Sequence, residues 1–165
     1  MPFKPFFILI AGLLLFALAC LPARYTMQDL PGEQLRFGAY GGFAGSHKEY
    51  IMLKNGQVFL LESLGARRDT AQLESFTGSE VRPLFKRLDS LRLHKYDFNY
   101  PGNMTWFLRQ ISETTDITVQ WGAPDWEVRA EVADFHRELN DFVKNRKELP
   151  KEEAAPEKPK EPIFW

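Results

Sequence analysis

The strongest constraint on this chain is an apolar stretch that cannot join an amphipathic fold. Phe6 to Ala19 holds only apolar residues and glycine, fourteen in all, and the short start before it carries one charged side chain, Lys4. A helix built from that run has no polar face to turn towards water. A basic start followed by an apolar run of this length is the anatomy of a secretory signal peptide. The run closes on Ala17-Leu18-Ala19-Cys20, and Cys20 is the only cysteine of the chain. That count excludes an intrachain disulfide framework and any zinc site built on several thiolates.

Ala17-Leu18-Ala19-Cys20 resembles the lipobox of bacterial lipoproteins, with Ala17 where leucine is usual. The resemblance implies that residues 1–19 are removed as a signal peptide and that the Cys20 thiol receives a diacylglyceryl group. Small residues before the cut let the backbone enter the peptidase, and the thiol is the nucleophile for lipid transfer. The competing reading is an uncleaved transmembrane anchor. Phe6 to Ala23 offers eighteen residues before Arg24, against the roughly 20 needed to span a bilayer. Pro22 and the position of the cysteine weigh against it. Both readings export the remainder and tether it to a membrane. The expected partner at this end is the lipid bilayer, through acylated Cys20. Leu21 is not the aspartate that retains enteric lipoproteins, so the periplasmic side of the outer membrane is the expected location.

Residues 20–32 contain two prolines and no periodicity, and read as a lipidated N-terminus and spacer. Residues 149–165 are dominated by Pro, Lys, Glu and Ala, which cannot bury enough apolar surface to offset ordering, and read as a disordered tail. Residues 33–148 remain as one folded domain. Gln34 to Tyr40 reads as a strand, followed by the turn Gly41-Gly42-Phe43-Ala44-Gly45. Tyr50–Lys54 and Gln57–Glu62 form a hairpin across Asn55-Gly56, the pair best suited to a turn with two positive φ angles. Leu64 to Phe76 reads as a polar connection. Thr77-Gly78-Ser79-Glu80 resembles a capping box opening a helix to about Leu91. Asn99 to Asn103 reads as a loop, and Met104–Ile111 with Ile117–Trp121 as a second hairpin. Asp125 is the expected N-cap of a helix from Trp126 to about Arg146, with Val128, Val132, Phe135, Leu139 and Phe142 on one face. The order βββαββα predicts an α+β domain: a mostly antiparallel sheet with two helices packed on one face.

No catalytic constellation stands out. The glycines at 38, 41, 42 and 45 precede a strand rather than a helix, and Gly-Lys-Ser/Thr is missing, so a phosphate loop is not supported. His47, His94 and His136 lack the spacing of a metal-binding helix face, and His136 is expected to be partly exposed. Ser46 and His47 are strand neighbours and point to opposite sides. A net charge of −1 without a basic stripe argues against nucleic acid. No metal or other cofactor is expected. Trp106, Trp121 and Trp126 read as core packing, with an aromatic ledge for a peptide or glycan as the alternative.

Tyr40-Gly41-Gly42-Phe43-Ala44-Gly45, with Tyr50 and Asn55-Gly56, resembles small bacterial envelope lipoproteins and, more distantly, emfourin-type inhibitors of thermolysin-like metallopeptidases. The resemblance covers about Leu35 to Val143. Its family pattern has an aspartate before the second strand pair, where this chain has Pro101-Gly102-Asn103. What it implies is a non-enzymatic domain that binds an envelope protein or a peptidase. The candidate binding residues are Gly41, Gly42, Phe43, Ala44 and Gly45. Phe43 is expected to plug the core, since buried phenylalanines far outnumber functional ones.

Overall fold

The computed structural model describes residues 24–150. The signal-peptide reading of 1–19, the lipidation residue Cys20 and residues 151–165 of the tail lie outside the described residues. Within them the chain forms an α+β domain. The strands are β1 (Gln34–Gly41), β2 (Ser46–Met52), β3 (Val58–Leu64), β4 (Arg67–Leu73), β5 (Asn99–Tyr100), β6 (Met104–Ile111) and β7 (Asp116–Trp121). The helices are α1 (Gly78–Ser90), after β4, and α2 (Ala130–Val143), after β7. One sheet holds all seven strands in the order β4-β3-β2-β1-β6-β7-β5. Every pairing is antiparallel except the short parallel match of β5 with β7.

Two strands depart from the expected order βββαββα. Residues 67–73, expected as part of a polar connection, form β4, folded back on β3 around Gly65. Its sequence Arg-Arg-Asp-Thr-Ala-Gln-Leu has almost no apolar alternation because β4 is an edge strand, and charged side chains on an edge discourage pairing with other chains. Asn99 and Tyr100, expected in a loop, add β5 beside β7.

Alternation along the central strands sends Leu35, Phe37, Tyr50, Met52, Val58, Leu60, Leu108 and Val119 to one face, where they are buried. The apolar stripes of the helices close over them: Val81, Leu84, Phe85 and Leu88 from α1, and Val132, Phe135, Leu139 and Val143 from α2. Each such side chain contributes about 1.5–3 kcal/mol on leaving water. The α1 capping box is formed, with Thr77 Oγ1 accepting from Glu80 N at 3.3 Å and Glu80 Oε2 accepting from Thr77 N at 2.6 Å. Helix α2 begins at Ala130 rather than at Trp126, and Asp125 does not cap it. Trp126 instead stacks on Tyr100 at 4.1 Å. The Arg129 backbone N–H donates to the Tyr96 hydroxyl at 3.0 Å, while its guanidinium donates to Leu91 O at 2.8 Å. Aromatic stacking therefore holds residues 126–129 off the helix axis.

His136 is a second correction: it is buried, not partly exposed. Its Nε2 donates to Gly38 O at 3.0 Å, and its ring meets Phe37 and Trp121 edge-on. Burial lowers its pKa, against a smaller opposing pull from that hydrogen bond.

The opposite face of the sheet is covered over only part of its area. Tyr25, Met27 and Leu30, from the stretch read as spacer, pack on Ile51, Leu53, Phe59 and Leu61. Tyr25 N donates to Gln57 Oε1 at 2.8 Å, and Gln57 Nε2 donates to Tyr25 O at 3.0 Å. The folded unit thus starts earlier than residue 33, because three apolar side chains had a second, smaller apolar patch to cover. At the other end Leu73 bridges Glu148, and Leu149 N donates to Gln72 O at 2.8 Å. Among the described residues no helix is long and apolar enough to cross a membrane.

Candidate binding surface

The turn between β1 and β2 is rigid at its base and open at its tip. Gly41, Gly42 and Gly45 all have positive φ, at 111°, 72° and 59°. Side chains would strain these conformations, and a Cβ on Gly41 would also overlap the Asn103 carbonyl oxygen. Gly42 N donates to Asn103 O at 2.6 Å, Gly45 N to Gly42 O at 3.0 Å, and Ser46 Oγ to Gly41 O at 3.1 Å. These bonds tie the turn to the start of β6. Beyond them Phe43 is fully exposed, flanked by exposed Ala44. The core-plug expectation for Phe43 is therefore wrong: two glycine-permitted bends carry its ring away from the sheet.

Phe43 has apolar company. The exposed large hydrophobic side chains among the described residues are Phe43, Leu64, Met104, Trp106, Trp126 and Leu149. Register places all but Leu149 at one end of the sheet: Gly41 lies opposite both Ser46 and Met104, Ser46 opposite Leu64, and Trp106 opposite Trp121. Met104 borders the turn directly, its Sδ facing the Gly42 Cα. Trp106, Trp121, Ala123 and Trp126 wall a cleft of about 310 Å³ with Glu127 on its rim. Trp106 and Trp126 keep 40% and 52% of their surface in water, so both are ledge as much as core. Met104 was not singled out in the sequence, where it reads only as the first residue of a strand.

A second hollow, of about 360 Å³, lies on the open sheet face between His47, Leu61, Ser63, Arg68 and Thr70. His47 Nε2 and Glu49 Oε2 are 3.1 Å apart, and Glu49 in turn pairs with Arg36 at 3.2 Å. The Ser46 hydroxyl points away to Gly41 O, while Ser63 lies directly across the strand from His47 in the same hollow, with no hydrogen bond to the imidazole among the described residues. His94 is exposed beyond α1, far in sequence from the other two histidines. Among the described residues no three His, Cys, Asp or Glu side chains come together to hold a metal ion.

The site is thus a projecting apolar knob beside an aromatic cleft, on an α+β domain. Compared with protein-family models and with curated protein sequences, the chain matches none.

Proposed function

We propose that this chain is a membrane-tethered envelope lipoprotein, held through acylated Cys20, whose domain is a non-enzymatic module that binds another envelope protein through the Gly41–Gly45 turn. The observation that carries the proposal is the full exposure of Phe43 on a turn fastened at its base. Holding a phenyl ring in water costs about 1.5–3 kcal/mol relative to burying it, and a prefastened ring loses little freedom on docking. Direction supports the same reading. Tyr25 is hydrogen-bonded to Gln57, at the Asn55-Gly56 end of the sheet, so the tethered end and the Phe43 end lie a strand length apart, roughly 20 Å. The knob faces away from where the anchor joins.

Inhibition of a thermolysin-like metallopeptidase is the second reading. The projecting Phe43 favours it, because a cleft enzyme is met best by a convex, rigid apolar element.

Two experiments test the proposal. Wild type should partition into detergent and carry the mass of a lipid, whereas Cys20→Ser should accumulate as unlipidated precursor. Recovering residues 1–19 on the mature wild type would remove the anchor. Phe43→Ala should leave stability within about 0.5 kcal/mol and weaken capture of the crosslinked envelope partner by about 2 kcal/mol or more. Equal capture by the variant would retire the turn as the binding element. Inhibition of a thermolysin-like enzyme, lost on the same substitution, would select the second reading.

A further inference from the structure

The cleft beside the Phe43 turn has walls that suit one kind of ligand. Trp106 and Trp126 line it and stay partly exposed, Trp126 is fixed by stacking on Tyr100 at 4.1 Å and 13°, and Trp121 is braced edge-on by His136 at 5.1 Å. No hydrogen bond among the described residues uses the indole N–H of Trp106 or Trp126. Aromatic walls with free N–H donors match a polyproline II strand. Its proline rings stack on the indoles, and its carbonyls, unused by any internal hydrogen bond, accept from them. Proline also brings few N–H groups that would need partners inside the cleft. A glycan would stack too, but it needs several directed polar groups, and Glu127 is the one charged side chain lining this cleft.

The chain itself carries such a ligand. Pro156, Pro159 and Pro162 recur every third residue, the repeat that puts all three on one side of a polyproline II helix. Lys158 and Lys160 flank the central proline, and Glu127 has no ion pair among the described residues. The reach is sufficient. Leu149 is bonded to Gln72 along the outer edge of β4, whereas Trp106 shares a rung with Asp69, three residues along β4, so five strand spacings lie between Leu149 and β6. That separation is about 26 Å, and the ten residues from Leu149 to Pro159 span about 31 Å when extended.

We propose that the Trp106–Trp126 cleft binds the Pro156–Pro162 segment of the same chain. This proposal does not depend on what Phe43 binds. The test uses the full chain in detergent micelles, comparing wild type with the triple variant Pro156→Ala, Pro159→Ala, Pro162→Ala by the indole N–H resonances. The Trp106 and Trp126 signals should move in the variant while the backbone signals of the sheet stay in place. A synthetic peptide of residues 155–163, added to the triple variant, should return both indole signals towards their wild-type positions. Glu127→Lys should weaken that peptide two- to fivefold, as for an exposed ion pair. Tenfold dilution of the wild type should change nothing, because a tethered segment binds at millimolar effective concentration. Coincident indole signals in wild type and variant would overturn the proposal, and so would a peptide that moves neither. Signals that shift on dilution would overturn it as well, since the occupant would then be a second copy.

Discussion

Two glycine turns of one sheet show how differently the same residue type can be used. At Asn55-Gly56 the turn is pressed into the body of the domain. Gly56 is buried with φ of 93°, a Cβ there would overlap the Phe76 carbonyl oxygen, and Phe76 N donates to Gly56 O at 2.9 Å. The Asn55 side chain accepts from Gln57 N at 3.0 Å, and Gln57 holds Tyr25. At Gly41–Gly45 only the base is held. Gly45 has φ of 59°, but nothing lies within 4 Å of the place its Cβ would occupy. Positive φ is common to both turns, so conformational freedom does not separate them. What separates them is whether another segment crosses over the turn: Phe76 crosses the first, and no described segment crosses the tip of the second.

The comparison breaks most visibly at Gly56. Gly56→Ala combines a strained φ with a backbone collision, and should cost about 3 kcal/mol or more of folding stability. A denaturant midpoint within error of wild type would mean that the turn is not locked. His136 tests the same buried half of the molecule by pH. Its folded pKa is lowered, chiefly by burial, so the neutral form is favoured in the native state. Stability should be complete above the unfolded value near pH 6.5 and fall as pH drops through the lowered folded value, by up to about 1.4 kcal/mol per pH unit. Glu80 and Asp116 are lowered too, by hydrogen bonds from Thr77 and Arg109, and their losses begin only as pH falls through the ordinary carboxylate range, below the window of His136. His136→Gln, which can still donate to Gly38 O, should flatten the upper window, and an unchanged slope would assign it elsewhere. Gly45→Ala should cost about 1–2 kcal/mol, the left-handed backbone penalty with no collision added. A cost equal to that of Gly56→Ala would show the two turns to be equally enclosed. The smallest stability effect belongs to Phe43→Ala.

Much of the fold was legible where local chemistry and burial agree. Asn55-Gly56 marked the β2–β3 hairpin, although only Gly56 of the pair has positive φ and the turn closes through Gly56 N donating to Leu53 O at 3.0 Å. The capping box at Thr77 and the stripe Val132, Phe135, Leu139 each encode their element within a few residues. Strand β4 was hidden because its solvent-facing edge carries charge instead of alternation. Tyr25, Met27 and Leu30 were hidden because they follow the contour of Ile51, Leu53 and Phe59 rather than any period. The candidate site was half legible. The glycines announced a turn around Phe43, but the same five letters serve a plug or a knob, and the choice depends on a distant segment. Trp126 was misplaced for a related reason, since Tyr100 competes with the helix for its ring.

The segment before β1 also decides how the domain responds to tension. A pull on the chain at Arg24 meets first the two hydrogen bonds between Tyr25 and Gln57, then the Thr26–Asp29 bridge and the side chains of Met27 and Leu30. These contacts are loaded one after another and peel at low force. Strand β1 lies between β2 and β6, so its ladders on both sides would have to shear together before the sheet opened. Peeling residues 24–33 would free a segment about 33 Å long when fully extended, while Leu35 and Phe37 stay in place. On the proposed anchoring through Cys20, the strap would act as a mechanical fuse, lengthening the leash before the fold is put at risk.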